Sequence, residues 1–92
     1  MTQPLKLMYF SSREHCPACK VFAPVIDALD ASPDYDIIHI DAETDATRVR
    51  HYGIRSLPTL LVLDDDLHPL GRWIGSASHP KITAWLAQWS TP

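Results

Sequence analysis

The sequence predicts an α/β domain with the order β-α-β-α-β-β-α and a four-stranded mixed sheet flanked by helices. Two observations carry this. Short apolar runs alternate with amphipathic helical patterns along the chain. The first two strand candidates flank a helix, which calls for parallel pairing through a right-handed crossover, while the last two are separated only by an acidic turn and form a hairpin. The chain has 92 residues, which fits one domain, 1–92, and leaves no room for a second.

Each element has a local reason. Leu5 to Ser11 is an apolar run and reads as a buried strand. Cys16 to Ala31 reads as a helix, with Val21, Phe22, Val25, Ile26 and Leu29 forming its apolar stripe. Pro17 suits its first turn, where a missing N–H costs nothing, and Pro24 should kink it. Ser32-Pro33-Asp34 ends it, and Asp36 to Ile40 is a second strand whose Ile37-Ile38 pair suggests burial on both faces. Thr44 to Tyr52 is a short polar helix closed by Gly53. Thr59 to Leu63 and Leu70 to Ile74 are the hairpin strands, joined through Asp64-Asp65-Asp66 and ended by Gly75. Ser78 caps a last helix, with Pro80 in its first turn, that runs to about Trp89.

Composition narrows the function. Hydrophobic residues make up 46% and charged residues 21%, a globular balance. The formal net charge of −3 supplies no basic field for nucleic acid or anionic lipid. No apolar run approaches the roughly 18 residues of a membrane span. The N-terminal MTQPLKLMYF lacks the regions of a signal peptide, so a cytoplasmic location is expected. Thiols stay reduced there, and a close cysteine pair is more often catalytic or metal-binding than structural.

The only two cysteines lie in Cys16-Pro17-Ala18-Cys19, between the first strand and its helix. A helix N-terminus offers free N–H groups and partial positive charge, which favours a thiolate, and the thiolate is what attacks disulfides. Cys16 is therefore expected to be exposed, low in pKa and nucleophilic. Cys19, one turn later, should face inward and resolve the mixed disulfide, leaving a reversible Cys16–Cys19 disulfide. A protonated His15 would favour the Cys16 thiolate and Glu14 would oppose it, so both are candidate pKa modulators; both can also be plain solvated loop residues. No metal is expected. Zinc wants four ligands and no second cysteine pair exists, although four cysteines from two chains could hold a cluster. Trp85 and Trp89 read as core anchors and Trp73 as edge packing. His39, His51, His68 and His79 lack metal spacing, and Asp64 to Asp66 is most simply a turn.

Three further stretches bring a resemblance into view. Cys19-Lys20-Val21-Phe22-Ala23-Pro24 resembles the C-K-x-x-A-P pattern of the thioredoxin family, and Tyr52-Gly53-Ile54-Arg55-Ser56-Leu57-Pro58-Thr59-Leu60-Leu61 resembles the signature around its cis-proline. Arg72-Trp73-Ile74-Gly75 falls at its late glycine, and order and spacing match from Leu5 to about Trp89. The resemblance implies a thioredoxin fold lacking the usual N-terminal strand and helix, with Pro58 cis and packed beside the dithiol. The backbone of Leu57 would pair with an extended substrate segment, and Pro17, Leu57, Pro58, Gly75 and Ser76 would line a shallow apolar groove. It further implies a protein-disulfide reductase that binds no cofactor, acts as a monomer on disulfide-containing proteins, and draws electrons from a thioredoxin-reductase-type flavoenzyme or glutathione. A glutathione-coupled, glutaredoxin-like enzyme and a binding module without turnover are the competing readings. The chain departs from the pattern in several places. His15 and Ser12 replace two tryptophans. The buried aspartate that helps deprotonate the resolving cysteine falls at Phe10, and its lysine partner falls at Ile37.

Overall fold

The computed structural model describes residues 3–89, so the ends of the expected 1–92 domain lie outside the described residues. Strand β1 (Leu5–Ser11) is central: Leu7 to Phe10 are all buried, because a helix layer covers each face of the sheet there. It pairs parallel with β2 (Tyr35–Asp41) and antiparallel with β3 (Thr59–Leu63), and β3 pairs antiparallel with β4 (Pro69–Ile74). The sheet order is β2-β1-β3-β4. No element precedes β1 among the described residues.

Alternation along β1 and β3 feeds two cores. Leu7, Tyr9, Leu60 and Val62 meet Phe22, Ile26 and Leu29 of helix α1 (Pro17–Asp30) and Ile82 and Leu86 of helix α3 (His79–Leu86). Met8, Phe10, Leu61 and Leu63 point the other way, against Ile40, Tyr52 and Ile54, with Val49 of helix α2 (Ala46–His51) packed on them. The late tryptophans Trp73, Trp85 and Trp89 pack against the first core from its rim. A single 3-10 turn, Ala87–Trp89, follows α3.

Several boundaries depart from expectation for physical reasons. Cys16 is the N-cap of α1 rather than its first residue, and Pro17 takes the first helical position. Val21 is exposed, since the inward stripe runs Cys19, Phe22, Ile26, Leu29 and Val21 falls to one side of it. Ile37 and Ile38 are half-buried, not buried on both faces, because β2 is an edge strand. Helix α2 begins only after Asp45, whose side chain accepts from the Arg48 N–H. Gly53 follows its end at φ +64°, the left-handed cap conformation that glycine adopts without strain.

Candidate active site

The carboxyl end of β1 and the start of β3 share one end of the sheet, because Phe10 pairs with Thr59. Parallel pairing of Ser11 with Asp41 brings the turn after β2 to the same end. This end therefore collects loop 12–16, turn 42–45, the Leu57-Pro58 segment and Gly75.

Cys16 and Cys19 are joined there in a disulfide, with Cα atoms 5.2 Å apart. The Cys19 backbone N–H donates to Cys16 Sγ at 3.1 Å, so the sulfur occupies the place of an N-cap oxygen. Cys19 is buried as expected. Cys16 departs from expectation: it is 6% exposed and not open to solvent, because its side chain turns back over the first turn of α1 to reach Cys19. Pro17 beside it is exposed.

The peptide bond between Leu57 and Pro58 is cis. Pro58 is buried, Leu57 is half-buried and packs on the second core, and the Gly75 N–H donates to the Pro58 carbonyl at 2.9 Å. That bond ties the end of β4 to the Pro58 segment, and Gly75 reaches it at φ +96°. Arg72 holds the approach to this segment from β4, donating to the Tyr52 and Gly53 carbonyls at 2.5 and 3.1 Å. Thr59 Oγ1 donates to the Ser56 carbonyl at 2.7 Å. Ser76 is exposed.

His15 and Glu14 are exposed. His15 Nδ1 meets Glu43 Oε1 at 2.5 Å, and the buried Ser12 hydroxyl donates to the same oxygen at 2.5 Å. Glu43 was not singled out from the sequence. Its place after β2, opposite the loop after β1, is the signal that could have found it. The Ser12 hydroxyl, and after it His15, hold the Glu43 carboxyl below its ordinary range. Glu14, His15 and Glu43 lie close enough together to offer one cation site, as do Asp64, Asp66 and His68 in the hairpin turn. Both groups are surface carboxylates with one imidazole and contain no cysteine, unlike thiolate zinc sites.

Beside Cys19 an open groove of about 270 Å³ is lined by Tyr9, Arg13, Lys20, Asp27 and His39 among others. Tyr9, not Phe10, is the β1 residue on this side, whereas Phe10 turns to the opposite face and meets the Tyr52 ring at 6.0 Å. Ile37 packs against the first core and Phe10 lies in the second, so the two face different layers. Burial, and next the Asp27 charge, push the Tyr9 hydroxyl up to about 12.

A family model described as thioredoxin matches residues 2–88. Thioredoxin from Bacillus subtilis is 40% identical over 52 residues, which are 54% of this chain and 50% of that protein. Thioredoxin from Mycobacterium bovis is 30% identical over 74 residues, 78% of this chain and 63% of that protein. The match thus spans half to under two thirds of these relatives' length. A malaria-parasite thioredoxin-2 superposes with a TM-score of 0.81 at 21% identity, over 96% of this chain and 85% of that one. A Malassezia sympodialis thioredoxin gives 0.81 at 20%, over 98% and 78%. These structures share the fold.

Proposed function

The chain belongs to the thioredoxin family, and on that premise we propose that it is a thiol–disulfide oxidoreductase that reduces disulfides in other proteins. The observation that carries this is the Cys16–Cys19 disulfide at the start of α1, with the Cys19 N–H aimed at Cys16 Sγ. In the reduced protein the same N–H and the helix N-terminus favour a Cys16 thiolate. That thiolate attacks a substrate disulfide and the first substrate sulfur leaves. Cys19 then attacks Cys16, the second substrate sulfur leaves, and the protein keeps the disulfide while the substrate gains two electrons.

The rest of the site has supporting roles. The Leu57 backbone would pair with an extended substrate segment, and Pro17, Pro58, Gly75 and Ser76 would shape the surface around it. Their common position at one end of the sheet supports this reading. His15 and Glu14 would act as modulators of the Cys16 pKa, His15 from its contact with Glu43. We further propose that the chain works as a monomer in the cytoplasm and is re-reduced by a thioredoxin-reductase-type flavoenzyme. No helix among the described residues is long and apolar enough to cross a membrane.

Reduction of insulin disulfides tests this, with NADPH and thioredoxin reductase as one donor and dithiothreitol as the other. Activity with both, abolished by Cys16→Ser, is the expected outcome. Activity with dithiothreitol alone would move the electron supply to glutathione or a dedicated reductase. No activity with either would overturn the reductase and leave a binding module on the same fold.

A further inference from the structure

Cys19 can resolve a mixed disulfide only as a thiolate, and it is 5% exposed. Its proton therefore needs a way out. The groove beside it is the one described opening onto this sulfur's surroundings, and it contains a group the dithiol chemistry has not used. Tyr9 is 4% exposed, lines the groove with Cys19, and its hydroxyl has no hydrogen-bond partner among the described residues. Its ring is held in place by edge contacts to Phe22 at 5.9 Å and His39 at 6.0 Å.

We infer that the Tyr9 hydroxyl and the Asp27 carboxylate form the exit path for the Cys19 proton, the hydroxyl relaying it and the carboxylate delivering it to solvent. The inference rests on the dithiol reading above. The other charged groups facing the groove do not fit the part. Arg13 from the loop and Lys20 from α1 are cations that only donate. His39 from β2 has its Nε2 on Asp30 at 2.7 Å. Asp27 of α1 is the carboxylate that both lines the groove and reaches solvent. Tyr9 and Asp27 line the same groove, and the Asp27 charge adds to burial in raising the pKa of the Tyr9 hydroxyl. Tyr9 stays neutral throughout, because burial opposes its ionisation; it accepts one proton as it gives up another.

The step balances. In the mixed disulfide the Cys19 proton passes to Tyr9 Oη while the hydroxyl's own proton passes to Asp27, each through a bridging water, since in the disulfide form the hydroxyl has no direct partner among the described residues. The Cys19 thiolate forms the bond to Cys16 Sγ, and the bond from Cys16 to the substrate sulfur breaks. That sulfur leaves with the electron pair and is protonated from solvent, and Asp27 returns its proton to solvent.

Reaction of the reduced protein with the chromogenic disulfide of thionitrobenzoate separates the two attacks. The first thionitrobenzoate released reports Cys16 and the second reports Cys19. Tyr9→Phe and Asp27→Asn are each expected to slow the second release roughly tenfold or more near neutral pH. They should also move its pH midpoint to the alkaline side and leave the first release as in the parent. Asp27 is on the helix surface, so its variant keeps the test valid should Tyr9→Phe disturb the core. A second release with parental rate and pH profile in either variant overturns the relay. Absence of a second release from the parent itself overturns the dithiol reading, and the relay with it.

Discussion

One carboxylate, Glu43, joins the loop after β1 to the turn after β2, accepting from the Ser12 hydroxyl and meeting His15 Nδ1. Its folded pKa is lowered, so the link contributes stability above the ordinary glutamate pKa, and that contribution is lost as pH falls through the lowered value. Urea midpoints followed from neutral to acid pH should therefore drop more steeply in the parent than in Glu43→Gln. Parallel curves would show the link to be energetically silent. Tyr9 runs the opposite way. Its pKa rises from 10.0 to about 12, because the fold disfavours the tyrosinate, so ionisation leaves stability untouched below the unfolded value and lowers it as pH climbs through that window. At neutral pH, Tyr9→Phe removes a buried hydroxyl without a partner among the described residues, a group that costs about 1–3 kcal/mol when unsatisfied. We expect the Tm of the variant's disulfide form to rise, by about 4–8 °C per kcal/mol in a domain of this size, while its resolving step, which uses the hydroxyl in the mixed disulfide, slows. A lowered Tm would mean that the hydroxyl is satisfied in solution. The cysteines and Pro58 were legible as residues because local sequence marks them. Tyr9 was not, since Leu5 to Phe10 is apolar without alternation and does not say which side chain faces α1.

Among the elements, the packing of β4 against α3 and the 3-10 turn after it depends on the lack of a side chain. A Cβ at Gly71 would lie 2.5 Å from Trp89 Cη2 and Cζ2 and 3.3 Å from Trp85 Cζ2. The tryptophans form an edge-to-face row, Trp73 to Trp85 at 5.4 Å and Trp85 to Trp89 at 4.8 Å. Gly71→Ala must push the Trp89 ring aside, so it should cost about 1–3 kcal/mol and alter the near-ultraviolet circular dichroism of the tryptophans. A parental spectrum would place Trp89 elsewhere in solution. The hairpin before β4 offers a gain instead. Leu67 is 40% exposed and sits at φ +66°, a left-handed conformation that costs an L-residue roughly 1–2 kcal/mol and that asparagine tolerates better. Leu67→Asn keeps the Leu67 carbonyl that accepts from the Tyr52 hydroxyl, and should raise Tm; an unchanged or lower Tm would count against this conformation. The starts of α1 and α3 were legible because Pro17, Ser78 and Pro80 carry their own chemistry, whereas α2 begins two residues later than expected, after the Asp45 cap. The burial of β2 was misread because Ile37-Ile38 looks the same in a central strand and at a half-covered edge, and pairing order is a tertiary property.

The two cores of the whole molecule are built from the same two strands. Leu7, Tyr9, Leu60 and Val62 serve one face and Met8, Phe10, Leu61 and Leu63 the other. Neither layer can melt without exposing the reverse side of β1 and β3, so the domain should unfold as a single cooperative unit. The parallel β1–β2 pair and the β3–β4 hairpin were legible from the crossover and hairpin rules, whereas the β1–β3 pairing that joins them and the division into two cores needed the register. All three tryptophans report the layer of α1 and α3, because Trp73, Trp85 and Trp89 pack against that core. Leu61 is fully buried in the opposite layer. Leu61→Ala should cost about 2–5 kcal/mol, a large part of the roughly 5–15 kcal/mol available to a domain. If the strands couple the layers, tryptophan fluorescence and far-ultraviolet circular dichroism will show the same lowered urea midpoint in this variant, although the lesion is on the far side of the sheet from every tryptophan. A fluorescence transition left at the parental midpoint while the circular dichroism shifts would show that the layers unfold separately. The disulfide at the start of α1 would then sit on a layer whose stability the second core does not control.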